Sequence, residues 1–393
     1  MRAKKVMRID DLTPQRIISY DEEMKLIVEA IKKYGPKNIS AISRATGLPI
    51  ETVRYRIRNQ LKEMGIRFHI SINYLKLGLV RSWLFLDFSV HTMKNVPEIL
   101  DLLAKRGYLT YYARVIPHGY YIAIPTIPYS ALEKYKHFLD ELVSMDILKE
   151  YRMTDLQYLK HLSLRPEFYD FTTRTWNVPW SKLDYEIKKE PVQIQMDYSR
   201  VPIDKIDLLI LKEFQINASQ SLTSIAKKIN VLEKQVRYHY KKHIEEGKII
   251  ENYVVRWHAD KYQLTNKYIL SFFIEFTDLV KNDVTYINNV LERFPFTWMI
   301  AVSVDRSKLV SQVFMPATQY YDALAFLSDK LYVFKERFKM HIIDYIKAEA
   351  YTIPYESYND NVGWFTDLDE LTEVLRKKVK TRFPSHVVDY VEK

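Results

Sequence analysis

The chain has no cysteine among its 393 residues. That excludes disulfides, thiolate zinc sites and cysteine nucleophiles, and it fits a reducing interior or a hot habitat. Glycine is scarce, with 8 in all. Neither a GxGxxG nor a P-loop pattern occurs, so no phosphate-cradling loop is expected. No apolar run approaches 18 residues, and the basic N-terminus (MRAKKVMRIDDLTPQR) lacks an apolar h-region. A membrane span and a signal peptide are therefore not expected. No His, Asp and Glu grouping shows metal-ligand spacing along the chain, so no metal site or other cofactor is expected. What the chain does have is bulk and positive charge: 47% hydrophobic residues, 14% aromatic and a net charge of +10. The length suggests two or three domains. The charge suits a polyanionic partner without identifying one.

One stretch organises the rest. Thr46 to Ile66 (TGLPIETVRYRIRNQLKEMGI) recurs 183 positions on as Ile229 to Ile249 (INVLEKQVRYHYKKHIEEGKI), with no gap. Apolar residues fall every fourth position, Val53, Ile57, Leu61 and Val236, Tyr240, Ile244, which predicts one buried helical stripe. The outward positions carry Arg54, Tyr55, Arg58 and Lys62, against Arg237, Tyr238, Lys241 and Lys242. Before each helix stands a residue that tolerates left-handed backbone, Gly47 or Asn230. Upstream helices are expected from Asp21 and from Asp204, each Asp suiting a cap or first turn. Short second helices are expected behind Ser40 and Thr223 as N-caps, with Pro49 in the first turn of the third helix. Ile66–Ile70 and Ile249–Val254 read as wing strands. Each copy is thus a complete winged helix-turn-helix.

The region after each module also repeats. Strands are expected at Trp83–Phe88 and Ile269–Phe276, then helices at Val96–Arg106 and Val284–Phe294. Strand pairs come next, Tyr108–Ile116 with Tyr120–Ile124 and Phe296–Val304 with Lys308–Phe314. Second helices (Ser130–Val143, Thr318–Leu331) and final strands (Ile147–Leu159, Phe338–Tyr351) complete the order β-α-β-β-α-β. The expected chain is α+β: two copies of a winged helix-turn-helix followed by a ferredoxin-like β-α-β-β-α-β domain. Its divisions are a basic arm (1–20), the first winged module (21–77) and the first ferredoxin-like domain (80–165). An aromatic tail and linker (166–200), the second module (201–262) and the second ferredoxin-like domain (264–352) come after them. A tail and a charged amphipathic helix, Leu368 to Lys380, close the chain (353–393).

This layout resembles the Lrp/AsnC family of bacterial and archaeal transcription regulators, twice over, on the strength of VRYRIRNQLKEMGI and VRYHYKKHIEEGKI. The resemblance implies a cytoplasmic, nucleoid-associated protein, of archaeal origin, that binds double-stranded DNA. It implies RAM-like sensor domains, a homodimer of this chain through them, and a small-molecule effector at the sensor turn. The family's Gly-Asp-Tyr-Asp-like turn is reduced here to His118-Gly119-Tyr120-Tyr121, and the second copy has Val304-Asp305-Arg306-Ser307. Family members usually carry one copy; this chain carries two in tandem.

The stretches Arg44–Arg67 and Lys227–Arg256 each carry a net +4, so most of the excess charge sits on two short modules. Residues at the start of such a helix face bases, and those further along meet phosphate. Glu51, Thr52 and Tyr55, with Lys234, Gln235 and Tyr238, are the base-reading candidates. Arg54, Arg58, Arg237 and Lys241 are the phosphate or guanine candidates, and Arg44, Lys62 and Lys242 are further DNA-binding candidates. His118 and Tyr120 could line a ligand pocket, or belong to an ordinary hairpin turn. His137 and His161 fall near element ends and are expected at the surface. Trp176, Trp180, Trp364 and Phe365 are expected to peg each tail onto its own domain. Three functions fit: a regulator with two non-identical readers and no enzymatic activity, a weakly specific chromatin organiser, and a tetrapyrrole enzyme like the siroheme decarboxylases. The last share the winged-helix plus β-α-β-β-α-β layout.

Overall fold

The computed structural model describes residues 19–186, 199–257 and 269–382. The basic arm lies, but for its last two residues, outside them, as does the middle of the 166–200 linker. Helix α1 (Tyr20–Tyr34) is capped by Ser19, whose hydroxyl accepts from the Glu22 amide at 3.2 Å, which leaves Asp21 in the first turn. Helix α2 (Ile39–Thr46) is capped by Asn38 and ends at Gly47, left-handed at φ 73°. The equivalent α8 (Leu222–Ile229) is capped by Ser221 and ends at Asn230, φ 55°. Ser40 and Thr223 are therefore not the caps. Asn38 and Ser221 stand two residues earlier, three residues from the amides of Ala41 and Ser224 that they satisfy.

The third helix of each half is wound unevenly. In the first it runs as α3 (Ile50–Tyr55), a π-helical stretch over Arg56–Gln60, and a last turn α4 (Leu61–Glu63). An apolar residue at every fourth position drifts by about 40° per step around a 3.6-residue helix. One wider turn offsets that drift and leaves Val53, Ile57 and Leu61 all buried. In the second half α7 (Lys205–Ile216) and α8 precede α9 (Glu233–His239), which continues as a π-helical stretch over Tyr240–Glu245. Val236 and Ile244 are buried there.

The strands read as wings pair with each other rather than within their own modules. Strand β1 (Ile66–Ile72) runs antiparallel to β8 (Ile250–Trp257), from Ile66↔Trp257 to Ile72↔Ile250. Further bonds cross between halves: the Ala218 amide to Phe68 O (2.8 Å), the Asn73 amide to Ile249 O (2.9 Å), and Lys76 Nζ to Gly247 O (2.9 Å). Gly35, at φ 78°, lets the α1–α2 turn lie against Tyr253 of the other half, where an added Cβ would come within 2.5 Å of the ring. Met24, Ile27, Ile31, Val53 and Leu61 thus share one apolar core with Leu208, Phe214, Val236 and Ile244.

The β-α-β-β-α-β order appears in both halves. The first has β2 (Leu79–Phe88), α5 (Val96–Lys105), β3 (Leu109–Ile116), β4 (Tyr121–Pro128), α6 (Leu132–Ser144) and β5 (Leu148–His161). The second has β9 (Ile269–Phe276), α10 (Lys281–Arg293), β10 (Thr297–Ser303), β11 (Leu309–Pro316), α11 (Tyr320–Leu331) and β12 (Phe338–Ile343). Among the described residues the strands run β12-β9-β11-β10-β5-β2-β4-β3, and β12 also pairs with β3, so the sheet closes into a ring. One seam is long, Met299↔His161 to Ser303↔Leu156. The other joins Ile342↔Ile116 and Ile343↔Val115. There β12 stops short of the expected Tyr351, because the chain leaves β9 for β3. It turns over Tyr345–Lys347, and only the short β13 (Glu349–Ala350) resumes against β3. Trp83, Phe85, Ile122, Phe273, Met299 and Val310 fill the ring. Helices α5 and α6 cover the outside of one half, and α10 and α11 the other.

The tails are exchanged, contrary to the expectation that each stays on its own domain. Two small hairpins, Tyr169–Asp170 with Thr175–Trp176 and Tyr358–Asn359 with Gly363–Trp364, carry them. Trp176 packs on Phe296 (4.9 Å between centroids) and Trp180 on Phe326 (5.7 Å), both in the second half. Trp364 donates to Leu77 O of the first half at 2.7 Å. Phe365 is partly exposed. Helix α12 (Leu368–Arg382) buries Leu368, Leu371 and Leu375 in the first half's helical layer. Lys134 meets Asp369 there at 2.6 Å. The reason lies in the long seam: β5 leaves the first sheet beside β10, so the chain beyond it emerges against the second.

Candidate nucleic-acid interface

The buried stripe of each third helix fixes what the opposite face presents. On the first, Glu51, Tyr55, Arg58 and Lys62 are exposed, with Thr52 and Arg54 half-buried. On the second, Lys234, Gln235, Arg237, Tyr238, Lys241 and Lys242 are all exposed. Tyr55 and Tyr238, at matched positions, show 55% and 57% of their surfaces. Arg44 is exposed on the last turn of α2. Among the described residues, Arg44, Arg58, Lys62, Lys234 and Lys241 have no carboxylate partner. The paired ones are Arg54 with Glu51, Arg237 Nε with Glu233 (2.8 Å), and Lys242 with Glu246 (2.9 Å). Arg56 faces inward: it meets Glu23 at 2.7 Å and stacks on Tyr20 at 4.3 Å. The arrangement is a pair of exposed basic helix faces, each with a tyrosine and a short polar lead-in, which can meet phosphate and base edges.

The sensor turns differ. His118 is exposed on the β3–β4 turn and lies parallel to Tyr120, 5.6 Å between rings. Tyr120 points to the short seam, where its hydroxyl meets His341 Nδ1 at 2.9 Å. His341 Nε2 stands 3.4 Å from Glu275. Burial raises the Glu275 carboxyl, but the His341 hydrogen bond and the charges of His341, Arg152 and Lys308 outweigh it and hold the group below its ordinary value. His341 and Glu275 come from the second half, so no spacing around Tyr120 could have pointed to them. In the second turn, Arg306 takes the left-handed backbone at φ 58° without glycine. Ser303 and Ser307 hold Asp305 down to about 2.

An open cleft of about 750 Å³ lies between the halves, lined by Glu29, Lys32, Lys160, Arg165, Tyr253 and Glu292 among others. Its cations are already paired: Lys32 with Glu29 (2.7 Å), Lys160 with Glu292 (2.8 Å) and Arg165 with Glu167 (2.8 Å). His161 does not sit at the surface as expected. It closes β5 at the seam between halves, bonded to Arg256 at 2.8 Å, and burial with the Arg256 charge pushes it well below its ordinary value. His137 is exposed, as expected. The chain spacing also concealed one grouping: Asp204, Asp207, His239 and His243 place ligand-type atoms within 4.8 Å of one another. The visible signal was His239 and His243 at i, i+4 on the second third helix. Among the described residues no helix is long and apolar enough to cross a membrane.

No family model matches the chain. An uncharacterized HTH-type transcriptional regulator of Pyrococcus furiosus is 33% identical over 87 residues, 22% of this chain and 58% of the relative. A second, from Pyrococcus abyssi, is 35% identical over 69 residues, 17% of this chain and 45% of the relative. The chain thus spans about half the length of the curated relatives it matches. The crystal structure of the siroheme decarboxylase NirDL is 9% identical, and the match covers 92% of this chain and 99% of that chain at a TM-score of 0.52. At that identity the likeness is one of fold, and it extends over nearly the whole architecture.

Proposed function

We propose that the protein is a DNA-binding transcription regulator without enzymatic activity, and that both three-helix units are readers of duplex DNA. The observation that supports this most is the matched pair of basic faces, half-buried Arg54 with exposed Arg58 and exposed Arg237 with Lys241, opposite buried stripes. The likeness to HTH-type regulators adds weight. The pairing that single-copy regulators of the resembled family reach by dimerisation is supplied within one chain, through the two seams of the sheet ring. The readers begin differently, Ile50-Glu51-Thr52 against Glu233-Lys234-Gln235, so the two half-sites need not be palindromic.

A tetrapyrrole decarboxylase is the competing reading, favoured by the whole-chain likeness in fold. Selecting bound duplexes from a random pool, then titrating the winner and a scrambled control at two salt concentrations, tests the proposal. The expected result is a two-part motif preferred by about 10³-fold or more, weakened at one half by Arg54→Ala and at the other by Arg237→Ala. Equal, steeply salt-dependent binding to both duplexes would mean a chromatin organiser. Failure to bind either would refute the DNA reading, and uptake of an iron tetrapyrrole with release of carbon dioxide would then establish the enzyme.

A further inference from the structure

The joint between the first and third helices is built differently in the two halves. In the first, a guanidinium closes it: Arg56 bridges Glu23 at 2.7 Å and Gln60 at 2.5 Å. In the second, His239 and His243 occupy the positions equivalent to Arg56 and Gln60, while Asp204 and Asp207 stand where the first half has Asp21 and Met24. His239 and His243 lie one turn apart and face α7 together. His239 Nδ1 is 3.0 Å from Asp207 Oδ1 and 3.4 Å from Asp204 Oδ2, and His243 Nδ1 is 2.9 Å from Asp207 Oδ2.

We propose that Asp204, Asp207, His239 and His243 form a site for a divalent transition-metal ion of the zinc type, which ties α7 to the second reader helix. Tetrahedral zinc with nitrogen and oxygen ligands at about 2.0–2.2 Å sets neighbouring donors about 3.3–3.5 Å apart, so small movements suffice. Two imidazoles and two carboxylates are a donor set that suits zinc and its neighbours rather than calcium or magnesium. Both carboxylates are already oriented. Asp204 Oδ1 accepts the Asp207 amide (3.1 Å) and Asp207 Oδ2 accepts the Asp204 amide (2.9 Å), a reciprocal cap at the start of α7. Asp207 is fully buried, and a buried carboxylate needs a compensating positive partner. A metal ion supplies that charge with both imidazoles neutral. Tyr238, a reader candidate, lies edge-on to both rings at 5.7 and 5.6 Å, so an ion there would steady the reading face. The site rests on donor geometry and stands apart from the DNA reading.

The test uses the full chain, stripped with a chelator and titrated with Co²⁺ and then Zn²⁺. One ion per chain, ligand-field bands of a tetrahedral Co²⁺ centre and a raised melting temperature are expected. His239→Gln and His243→Gln each keep an amide donor toward Asp207, and each should weaken binding by at least about a hundredfold. Asp204→Asn, which can still cap the helix, should weaken it in the same direction. Arg56→Gln in the first half should leave it unchanged. Absence of saturable binding, or undiminished affinity in both histidine variants with their folds intact by circular dichroism, would overturn the site and leave the cluster as a histidine–carboxylate ion pair.

Discussion

The two three-helix units repeat one pattern and solve its joint in two ways. Both bury the same stripe, both widen the third helix into a π turn near the same place, and both turn on a left-handed residue before it. Yet the first closes its helix 1–helix 3 joint with the Arg56 guanidinium, and the second with two imidazoles and two carboxylates. The pattern that makes the helix is therefore kept, while the residues that set its response to surroundings have diverged. The first joint is an arginine–carboxylate pair. The second depends on what neutralises Asp207.

The comparison can be broken most forcefully in the stripe. Leu61→Ala and Ile244→Ala, both fully buried, should each cost about 2–5 kcal/mol. Because the two units share one core, urea unfolding should show one transition in either variant; two separate transitions would mean that the halves are independent. Exchanging the lead-in residues, Glu51→Lys with Thr52→Gln, should make the first half-site resemble the second. The shift should be about 1–3 kcal/mol for each base pair whose contact changes, read by repeating the duplex selection.

Acid should act unequally. Burial, then the Arg256 charge, lowers His69 to about 4, and the equivalent position in the second half is Asn252. The unfolded chain binds the proton that folded His69 refuses, so its contribution is full above about pH 6.5 and is lost as pH falls toward 4. The loss is roughly 3 kcal/mol. His69→Gln should shrink the difference between melts at pH 7 and pH 4.5.

Lys37 acts at the alkaline end. It lies over Phe214 at 4.0 Å and Tyr240 at 4.2 Å in the other half, and burial lowers it to about 8. Stability should rise as pH climbs from about 8 toward 10.5, because the unfolded chain then holds more protons. Lys37→Met should flatten that rise, which amounts to roughly 3 kcal/mol, read from melts at pH 8 and pH 10.5.

Much of this was legible in the chain because it is local. The four-residue stripe, Gly47 and Asn230 as left-handed turns, and the β-α-β-β-α-β order arise from periodicity and turn chemistry within short windows. Partner choice was not legible. Nothing in Ile66–Ile70 says that its strand will pair with Asn252–Trp257 rather than fold back as a wing. The same holds for Trp176 and Trp180, whose residue types demanded burial without naming the half that would bury them. His161 was misplaced because the end of a strand is usually open to water, and here it is a seam. The Asp204–His243 cluster escaped because its carboxylates and imidazoles are separated by more than two helices of sequence.

The exchanged tails have a consequence for how the chain could be divided. Trp176 and Trp180 are held by the second half, and Trp364 and α12 by the first, so each half completes the other's surface. A single cut between residues 186 and 199 would separate the polypeptide without separating the architecture. The two fragments would stay clasped by strand pairing and by each other's tails, and either made alone would show apolar ground that its missing companion normally covers. The covalent link keeps two mutually dependent pieces together at any dilution.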